Sequence, residues 1–255
     1  MDSRKIKEMQ ALLAKTQNFA IWDDHDFGPN DGDRGFYYKY ETQKAFKDFW
    51  ANKSYGMNPN QNEGIYSCFN WGDAEVFLLD NRFFKSPNDR LTGEKVLLGK
   101  IQIEWLIDAL VSSKASFKII VIGGQVLSSA AVFENYENYK TEKEELLNEI
   151  TANKIKGVTF ISGDRHFTEL SMLKRPEAYA LYDWTVSPLT SGYGNIEKIA
   201  KEENKNRVEG SLFAQHVFGT LSFSGEKDTR QMKLTLFDKE GNELWNKVIL
   251  KIELE

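Results

Sequence analysis

Apolar and polar positions follow two different periods between residue 1 and about residue 170. In four segments apolar residues recur every three to four positions, which predicts helices with one apolar face each. Short continuous apolar runs lie between them and predict buried strands, and this alternation is typical of an α/β domain. The predicted helices are an opening segment with Ile6, Met9, Leu12 and Leu13 on one face, and residues 42–50, 98–111 and 141–151. The predicted strands are 19–22, 75–80, 117–124 and a β-rich run over 157–170.

The last third of the chain has a different pattern, in which strand-like runs follow one another. The runs "YALYDWTVS", "FAQHVFGTLSFSG" and "MKLTLFDKEGNELWNKVILKIEL" predict strands, and a turn at "DKEGNE" joins the last two. The sequence contains neither a repeat nor a low-complexity linker. We therefore expect a single domain over residues 1–255, in which strands from both parts stack as a sandwich with helices outside.

Composition and charge exclude several classes of partner. The chain has 33 basic and 38 acidic residues and a formal net charge of -5, so we expect no electrostatic affinity for nucleic acid or for an anionic membrane. The longest apolar runs, 76–79 and 117–124, are too short to cross a bilayer, so no transmembrane segment is predicted. Cys68 is the single cysteine, which excludes an intramolecular disulfide. The oligomeric state is unknown from these patterns.

Polar residues follow directly after apolar runs at four places along the chain. These are "DDHD" at 23–26, "LDNR" at 79–82, "GGQ" at 123–125 and "GDRH" at 163–166. In α/β sheets ligands bind where strands end and loops begin. The four sequences are therefore the predicted components of a functional site.

The clustered carboxylates indicate a bound metal ion, because neighbouring carboxylates repel one another unless a cation neutralises them. Asp24 offers oxygen, while Asp164 and His166 offer oxygen and nitrogen on one side if their segment is extended. A helix N-cap explains "DDHD" alone equally well, and a surface turn explains "GDRH" alone. Two of the three histidines lie in these two sequences, which favours a shared site. The third, His216, lies in a strand-like run and is interpreted as a packed or edge residue.

Three of these segments, "IWDDHDFGPND", "FLLDNRFF" and "FISGDRHFTEL", resemble in order and spacing the alkaline phosphatase D (PhoD-like) family of the metallophosphoesterase superfamily. The resemblance extends from about residue 8 to the end of the chain. It implies a four-layer αββα sandwich with a two-metal centre at the strand ends. In such a centre a metal-activated water hydrolyses phosphate mono- or diesters, so the implied partner is a small phosphate ester. Calcium and iron are the metals that the resemblance implies first, with manganese or zinc as alternatives.

The resemblance also implies roles for individual residues. Asp24 falls at a metal-binding position, as do Asp164 and His166, and His25 falls where the superfamily has the catalytic histidine at the leaving oxygen. The implied substrate-binding residues are Asn30, Arg82, Gln125 and Arg165. Other roles remain open for three of them. Arg82 can pair with Asp80, Asn30 can serve a turn, and Gln125 can support the metal ligands from behind.

The N-terminal segment departs from the family pattern. Full-length relatives begin with a strand that carries the first metal ligand and continue with a glycine-aspartate motif, and residues 1–20 contain neither. We therefore expect an N-terminally truncated domain without those strands. One alternative is a non-catalytic fragment or metal-binding remnant, and another is a β-rich module that holds structural calcium. Relatives are often exported or periplasmic, but this chain shows no export signal, so its localisation is unknown.

Overall fold

In the computed structural model, which describes residues 5–52, 54–56, 63–227 and 229–255, nine strands form two sheets. The larger sheet has the strand order β1-β2-β3-β4-β6-β5, and the smaller one has the order β7-β8-β9. The strands of the larger sheet are β1 (Ser67–Trp71), β2 (Ala74–Leu78), β3 (Phe117–Val121), β4 (Val158–Ser162), β5 (Glu169–Arg175) and β6 (Ala178–Thr185). Those of the smaller sheet are β7 (Val217–Ser224), β8 (Gln231–Asp238) and β9 (Glu243–Leu250).

The centre of the larger sheet is parallel and both of its edges are antiparallel. Strands β2, β3, β4 and β6 run in one direction, whereas β1 and β5 run in the opposite direction. Parallel neighbours need a crossover connection, and helices supply it between β2 and β3 and between β3 and β4. The α-helices of the described residues are α1 (Lys7–Lys15), α2 (Asp24–Phe27), α3 (Lys39–Phe49), α4 (Lys100–Ser112), α5 (Lys140–Ala152) and α6 (Ile196–Ala200), and short 3-10 helices span Tyr136–Tyr139 and Lys251–Leu254. The carboxyl ends of the parallel strands therefore meet at one edge of the sheet.

Two hydrophobic cores cover the two faces of the larger sheet. Ile120 of β3 packs on the α4 and α5 side with Leu106 and Leu146, whereas its neighbour Ile119 packs on the other side with Leu234 of the smaller sheet. This alternation follows from the two-residue period of a strand. Each buried aliphatic side chain contributes about 1.5–3 kcal/mol of transfer free energy, so the two cores hold the sheet from both faces.

The described residues thus form three layers: helices, the larger sheet and the smaller sheet. The outward face of the smaller sheet leaves Phe218 and Val248 more than a third exposed. The mixed α/β class is confirmed, and the fourth layer remains a prediction. No helix of the described residues is long and apolar enough to span a membrane.

Helices α3, α4 and α5 and strands β2, β3 and β4 confirm the corresponding predictions, but the predicted strand over 19–22 is wrong. The ring of Phe19 stacks on Phe69 of β1, and the main chain of Ala20 exchanges hydrogen bonds with the side chain of Asn52. The side chain of Asn52, and not a partner strand, forms the hydrogen bonds to the main chain of Ala20. The apolar character of the segment has a different cause, since Trp22 packs in a small aromatic core.

The opening helix forms as predicted, but its apolar face is not buried. None of the α1 residues is buried, and Leu12 is 55% exposed. The helical period therefore predicted the helix correctly. It did not show what the apolar face of α1 packs against, and no α1 residue is buried by the described residues.

Candidate active site

A cavity of about 300 Å³ lies at the carboxyl ends of β3 and β4. It is lined by Asp23 and Asp26 from the loop that contains α2, by Gly123 after β3, and by Gly163 and Asp164 after β4. A larger hollow of about 530 Å³ lies at the opposite edge of the sheet, lined by Asp73 and Lys114 among others. The strand-end cavity is the candidate site, because three of the four predicted polar sequences meet there and ligands of parallel sheets bind at this edge.

Gly123, which follows β3, lies where other groups approach the main chain closely at the cavity. The amide of Gly163 donates to the carbonyl of Gly123 at 2.7 Å, which joins the two strand ends. A Cβ atom on Gly123 would lie 2.4 Å from both Asn81 Nδ2 and Asp23 Oδ2. Glycine is therefore required here by space, because any side chain would collide with the polar groups that line the cavity.

Asp23 is the carboxylate of the cavity that pairs with a buried arginine. Its Oδ1 accepts a hydrogen bond from Asn81 Nδ2 at 3.0 Å and pairs with the guanidinium of Arg82. Burial raises the pKa of Asp23 by more than Arg82 lowers it, and the charge of Asp24 raises it further. Asp23 Oδ2 and Asn81 Oδ1 are buried and have no hydrogen-bond partner among the described residues. Each of these two oxygen atoms can therefore still accept a hydrogen bond.

The carboxylate of Asp80 stabilises the "LDNR" turn through hydrogen bonds. It accepts hydrogen bonds from the Trp22 indole at 2.7 Å and from the amides of Ile65, Arg82 and Phe83, each at 2.9 Å. Burial raises the pKa of Asp80, while these four donors oppose that effect. The carboxylate is fully buried and has a structural role, because it ties the loop before α2 to the end of β2.

Arg82 is the centre of a buried chain of charges. Its guanidinium pairs with Asp23 and lies 2.5 Å from Glu134 Oε2, and Glu134 Oε1 lies 2.7 Å from Lys85 Nζ. Burial alone would lower the pKa of Arg82, but the two carboxylates raise it above its usual value. The side chain is 1% exposed, and only its backbone amide contacts Asp80. In this structure Arg82 therefore positions Asp23, and its direct contact with substrate remains a prediction.

Asp24 and His25 lie at the start of α2 and differ in exposure. Asp24 is 8% exposed, and it accepts hydrogen bonds from the amides of His25 at 2.7 Å and of Asp31 at 3.2 Å. The His25 side chain is 78% exposed, with Nε2 3.9 Å from Asp24 Oδ2. Asn30 is also exposed in the loop that follows α2. His25 and Asn30 are therefore accessible to a ligand.

The "GDRH" segment forms a tight turn, so the condition under which an extended segment places Asp164 and His166 on one side is not met. Asp164 and His166 have φ angles of 62° and 56°, and the amide of Arg165 donates back to the carbonyl of Gly163 at 2.7 Å. Asp164 and His166 each keep part of their surface open to solvent. The Asp164 carboxyl group nevertheless lies among the cavity loops, where desolvation, followed by the negative charge of Asp23, raises its pKa to about 7. Non-glycine residues in this conformation occur where tertiary structure enforces them, often at functional sites.

Arg165 and Gln125 point away from solvent. Arg165 Nη2 donates to Glu202 Oε1 at 2.7 Å, and Nη1 donates to Asn135 Oδ1 at 3.1 Å. Gln125 Nε2 donates to Glu169 at 2.8 Å, and its Oε1 has no partner among the described residues. Both side chains support loops beside the cavity in this structure, and their contact with substrate remains a prediction.

The fold thus brings Asp23, Asp24 and Asp164 near one another, close enough for the charge of Asp24 to raise the pKa of Asp23 and for both charges to raise the pKa of Asp164. The described residues contain no group of three or more histidine, cysteine, aspartate or glutamate side chains arranged to hold a metal ion. The ligand set of Asp24, Asp164 and His166 therefore remains a prediction. Sequence analysis missed Glu134, which follows no strand and belongs to none of the four polar sequences.

Sequence analysis also missed Asp183, whose signal was an acidic residue inside the apolar run "YALYDWTVS". Asp183 accepts from the amides of Val126 and Leu127 at 2.7 and 2.9 Å and from the Ser162 hydroxyl at 2.8 Å. It therefore fixes the loop after β3 to the end of β4, beside the cavity.

Comparisons with known proteins identify relatives of this arrangement. A family model described as PhoD-like phosphatase matches residues 3–234. Of the solved chains that match, 11 in number, one described as "Structure of PhoD" has a TM-score of 0.63 at 16% sequence identity. The match covers 89% of this chain and 55% of that chain, so this chain spans about half the length of the solved protein. No curated protein matches this chain.

Proposed function

Because the chain belongs to the PhoD-like phosphatase family, we propose that it hydrolyses phosphate mono- or diesters at the strand-end cavity with the help of two metal ions. The observation that carries the proposal is that Asp23 and Asp164, from chain segments far apart in sequence, line one cavity, while the charge of the neighbouring Asp24 raises the pKa values of both. Crowding of like charges costs stability unless a cation or protons neutralise them. A bound cation would neutralise the carboxylates and so remove the repulsion between them.

The donor chemistry of the cavity fits a hard cation. Asp23 Oδ2 and Asn81 Oδ1 are buried oxygens without hydrogen-bond partners among the described residues, and carboxylate and amide oxygens suit calcium or manganese. We propose Asp24, Asp164 and His166 as metal ligands, with Asp23 beside them. When bound, the metal ions would neutralise charge on the phosphate and make a water molecule more acidic.

The side chains of this protein supply the remaining steps. The Arg82 and Asn81 contacts fix the Asp23 carboxylate, and the exposed Asn30 amide is available to donate to a phosphate oxygen. During hydrolysis a water oxygen bonds to phosphorus and gives up a proton to solvent, and the ester P–O bond breaks. The leaving alcohol oxygen takes a proton, and the accessible His25 imidazolium is the proposed donor. Positioning and charge neutralisation account for most of the catalysis of phosphoryl transfer.

Hydrolysis of p-nitrophenyl phosphate and bis(p-nitrophenyl) phosphate tests this function. The full chain should hydrolyse at least one of them with added calcium, iron, manganese or zinc, and chelator should abolish the activity. We expect Asp24→Asn and Asp164→Asn each to lower kcat/KM by about 100-fold, because each removes a charged ligand. The matched control is Asp108→Asn, on the exposed face of α4, which should retain full activity. Metal binding without turnover of either ester would favour the metal-binding remnant instead.

The proton-donor role of His25 has a separate prediction. His25→Asn should lower kcat by about 100-fold for methyl phosphate, whose leaving group needs a proton, and by much less for p-nitrophenyl phosphate. Steady-state kinetics with both esters measures the difference. An equal loss for both esters would show that His25 does not protonate the leaving oxygen.

A further inference from the structure

Phe133 has two properties that are unusual for a large apolar residue. Its side chain is 78% exposed, and its backbone has a φ of 48°. A left-handed conformation is rare for a bulky residue and costs free energy, so the surrounding structure must enforce it. A single exposed aromatic ring is ordinary, but one that is held in strained backbone requires an explanation.

The ring of Phe133 is the outermost member of a stack. The guanidinium carbon of Arg165 lies 4.6 Å from the Phe133 ring centroid and 5.2 Å from that of the buried Phe167. Asn135 and Glu202 accept hydrogen bonds from the same guanidinium, so Arg165 has little freedom to move. The stack therefore holds the Phe133 ring in a defined position while most of its surface faces solvent.

The two residues at the surface end of this stack lie in the connections that begin at the strand-end cavity, since Phe133 follows β3 and Gly123, and Arg165 follows β4 and Gly163. Arg165 directly follows the cavity residue Asp164. On the other side, Glu134 pairs with Arg82 and Lys85, and its carbonyl oxygen would lie 3.3 Å from a Cβ atom on Gly124. Asp164, which precedes Arg165, therefore lines the cavity, and Glu134, which follows Phe133, is linked through Arg82 to the cavity residue Asp23.

We propose that Phe133 forms a subsite for the leaving group of the substrate and selects phosphate esters whose leaving group is a flat aromatic ring. The inference rests on the proposed function, because the phosphate of such an ester would lie in the adjacent cavity. A rigid exposed ring offers an aromatic leaving group a stacking surface, and a methyl group gains little from it. Arg165 acts through Phe133 and is a positioning residue.

The test compares phenyl and methyl probes in the full chain. Phe133→Ala and Phe133→Leu remove the π face, and Leu keeps much of the apolar volume in case the alanine variant fails to fold. Phe133→Tyr keeps the ring, and Trp71→Ala removes an aromatic residue that is 57% exposed at the opposite edge of the sheet. KM and kcat are measured with phenyl phosphate and methyl phosphate, and the Kd values of phenylphosphonate and methylphosphonate by calorimetry in the presence of manganese.

We expect Phe133→Ala and Phe133→Leu to weaken phenylphosphonate binding and raise the KM of phenyl phosphate by about three- to tenfold, the range that one aromatic contact supports. The methyl probes should be unchanged, and Phe133→Tyr and Trp71→Ala should resemble the parent protein. Equal losses for both probes, or no loss for either, would overturn the subsite. If the parent chain hydrolyses no ester, the proposed function fails, and the phosphonate affinities still decide whether Phe133 selects an aromatic group.

Discussion

At the residue scale, the site depends on buried polar groups that hold its loops through hydrogen bonds within the protein. Asp80 is the clearest example, because it accepts four hydrogen bonds from the loop before α2, from Ile65 and from its own turn. A carboxylate has enough acceptor sites for all four donors. An asparagine does not, because one of its two terminal atoms becomes a donor.

Asp80→Asn should therefore reduce the free energy of unfolding by about 2–3 kcal/mol, since at least one buried N–H group loses its acceptor. Urea denaturation measures this loss, and Asp108→Asn on the exposed face of α4 is the isosteric control. An unchanged midpoint for Asp80→Asn would show that the carboxylate does not hold the turn.

The contacts of Arg82 show what sequence patterns cannot reveal about single residues. Glu134 is 52 positions further along the chain and Asp23 is 59 positions earlier, and no local period connects them. The proposed alternative partner, Asp80, was near in sequence but accepts only the backbone amide of Arg82. Partners of a buried charge are therefore set by tertiary structure.

At the scale of elements, the loop after β3 and the loop that contains α2 must approach within contact distance. Gly123→Ala should lower stability by about 1–3 kcal/mol through overpacking and should also displace Asp23, so ester hydrolysis should fall at least tenfold. Thermal unfolding and kinetics measure both effects. Gly192→Ala is the stability control, because a Cβ atom there meets nothing within 4 Å. Normal activity in Gly123→Ala would show that the close approach is unnecessary.

The elements with a clear period were predictable, and those without one were not. Helix α4 and strands β2 and β3 follow from helical spacing and from continuous apolar runs. Strand β1, "SCFNW", has no such signal and was missed, whereas 19–22 has an apolar run and is not a strand. Both errors have the same cause. An apolar run indicates only that a segment is buried, whereas the formation of a strand depends on a neighbouring strand with which it can pair.

The candidate site was predictable only in part. Strand ends located the loops that line the cavity, but the turn over 163–166 and the charge chain through Glu134 depend on contacts between distant segments. The exposure of Phe133 was equally hidden, because an isolated phenylalanine in a loop has no characteristic pattern. Local sequence therefore located the site, and tertiary contacts determined which side chains face it.

At the scale of the whole molecule, the cavity exists only when the chain is folded. Its lining comes from three segments, near residues 23, 123 and 164, which the parallel strands bring to one edge. A metal ion that binds this arrangement and not the unfolded chain would stabilise the fold by an amount that rises with the logarithm of its concentration relative to its Kd. The proposed metal binding would therefore also be measurable as a gain in stability.

The number of metal ions bound per chain tests the central claim most directly. The full chain is saturated with manganese, freed of excess metal, and its metal content is measured by elemental analysis. We predict two equivalents in the parent protein, a loss of at least one equivalent in Asp164→Asn, and two in the control Asp108→Asn. One equivalent or none in the parent protein would contradict a two-metal centre at the strand-end cavity.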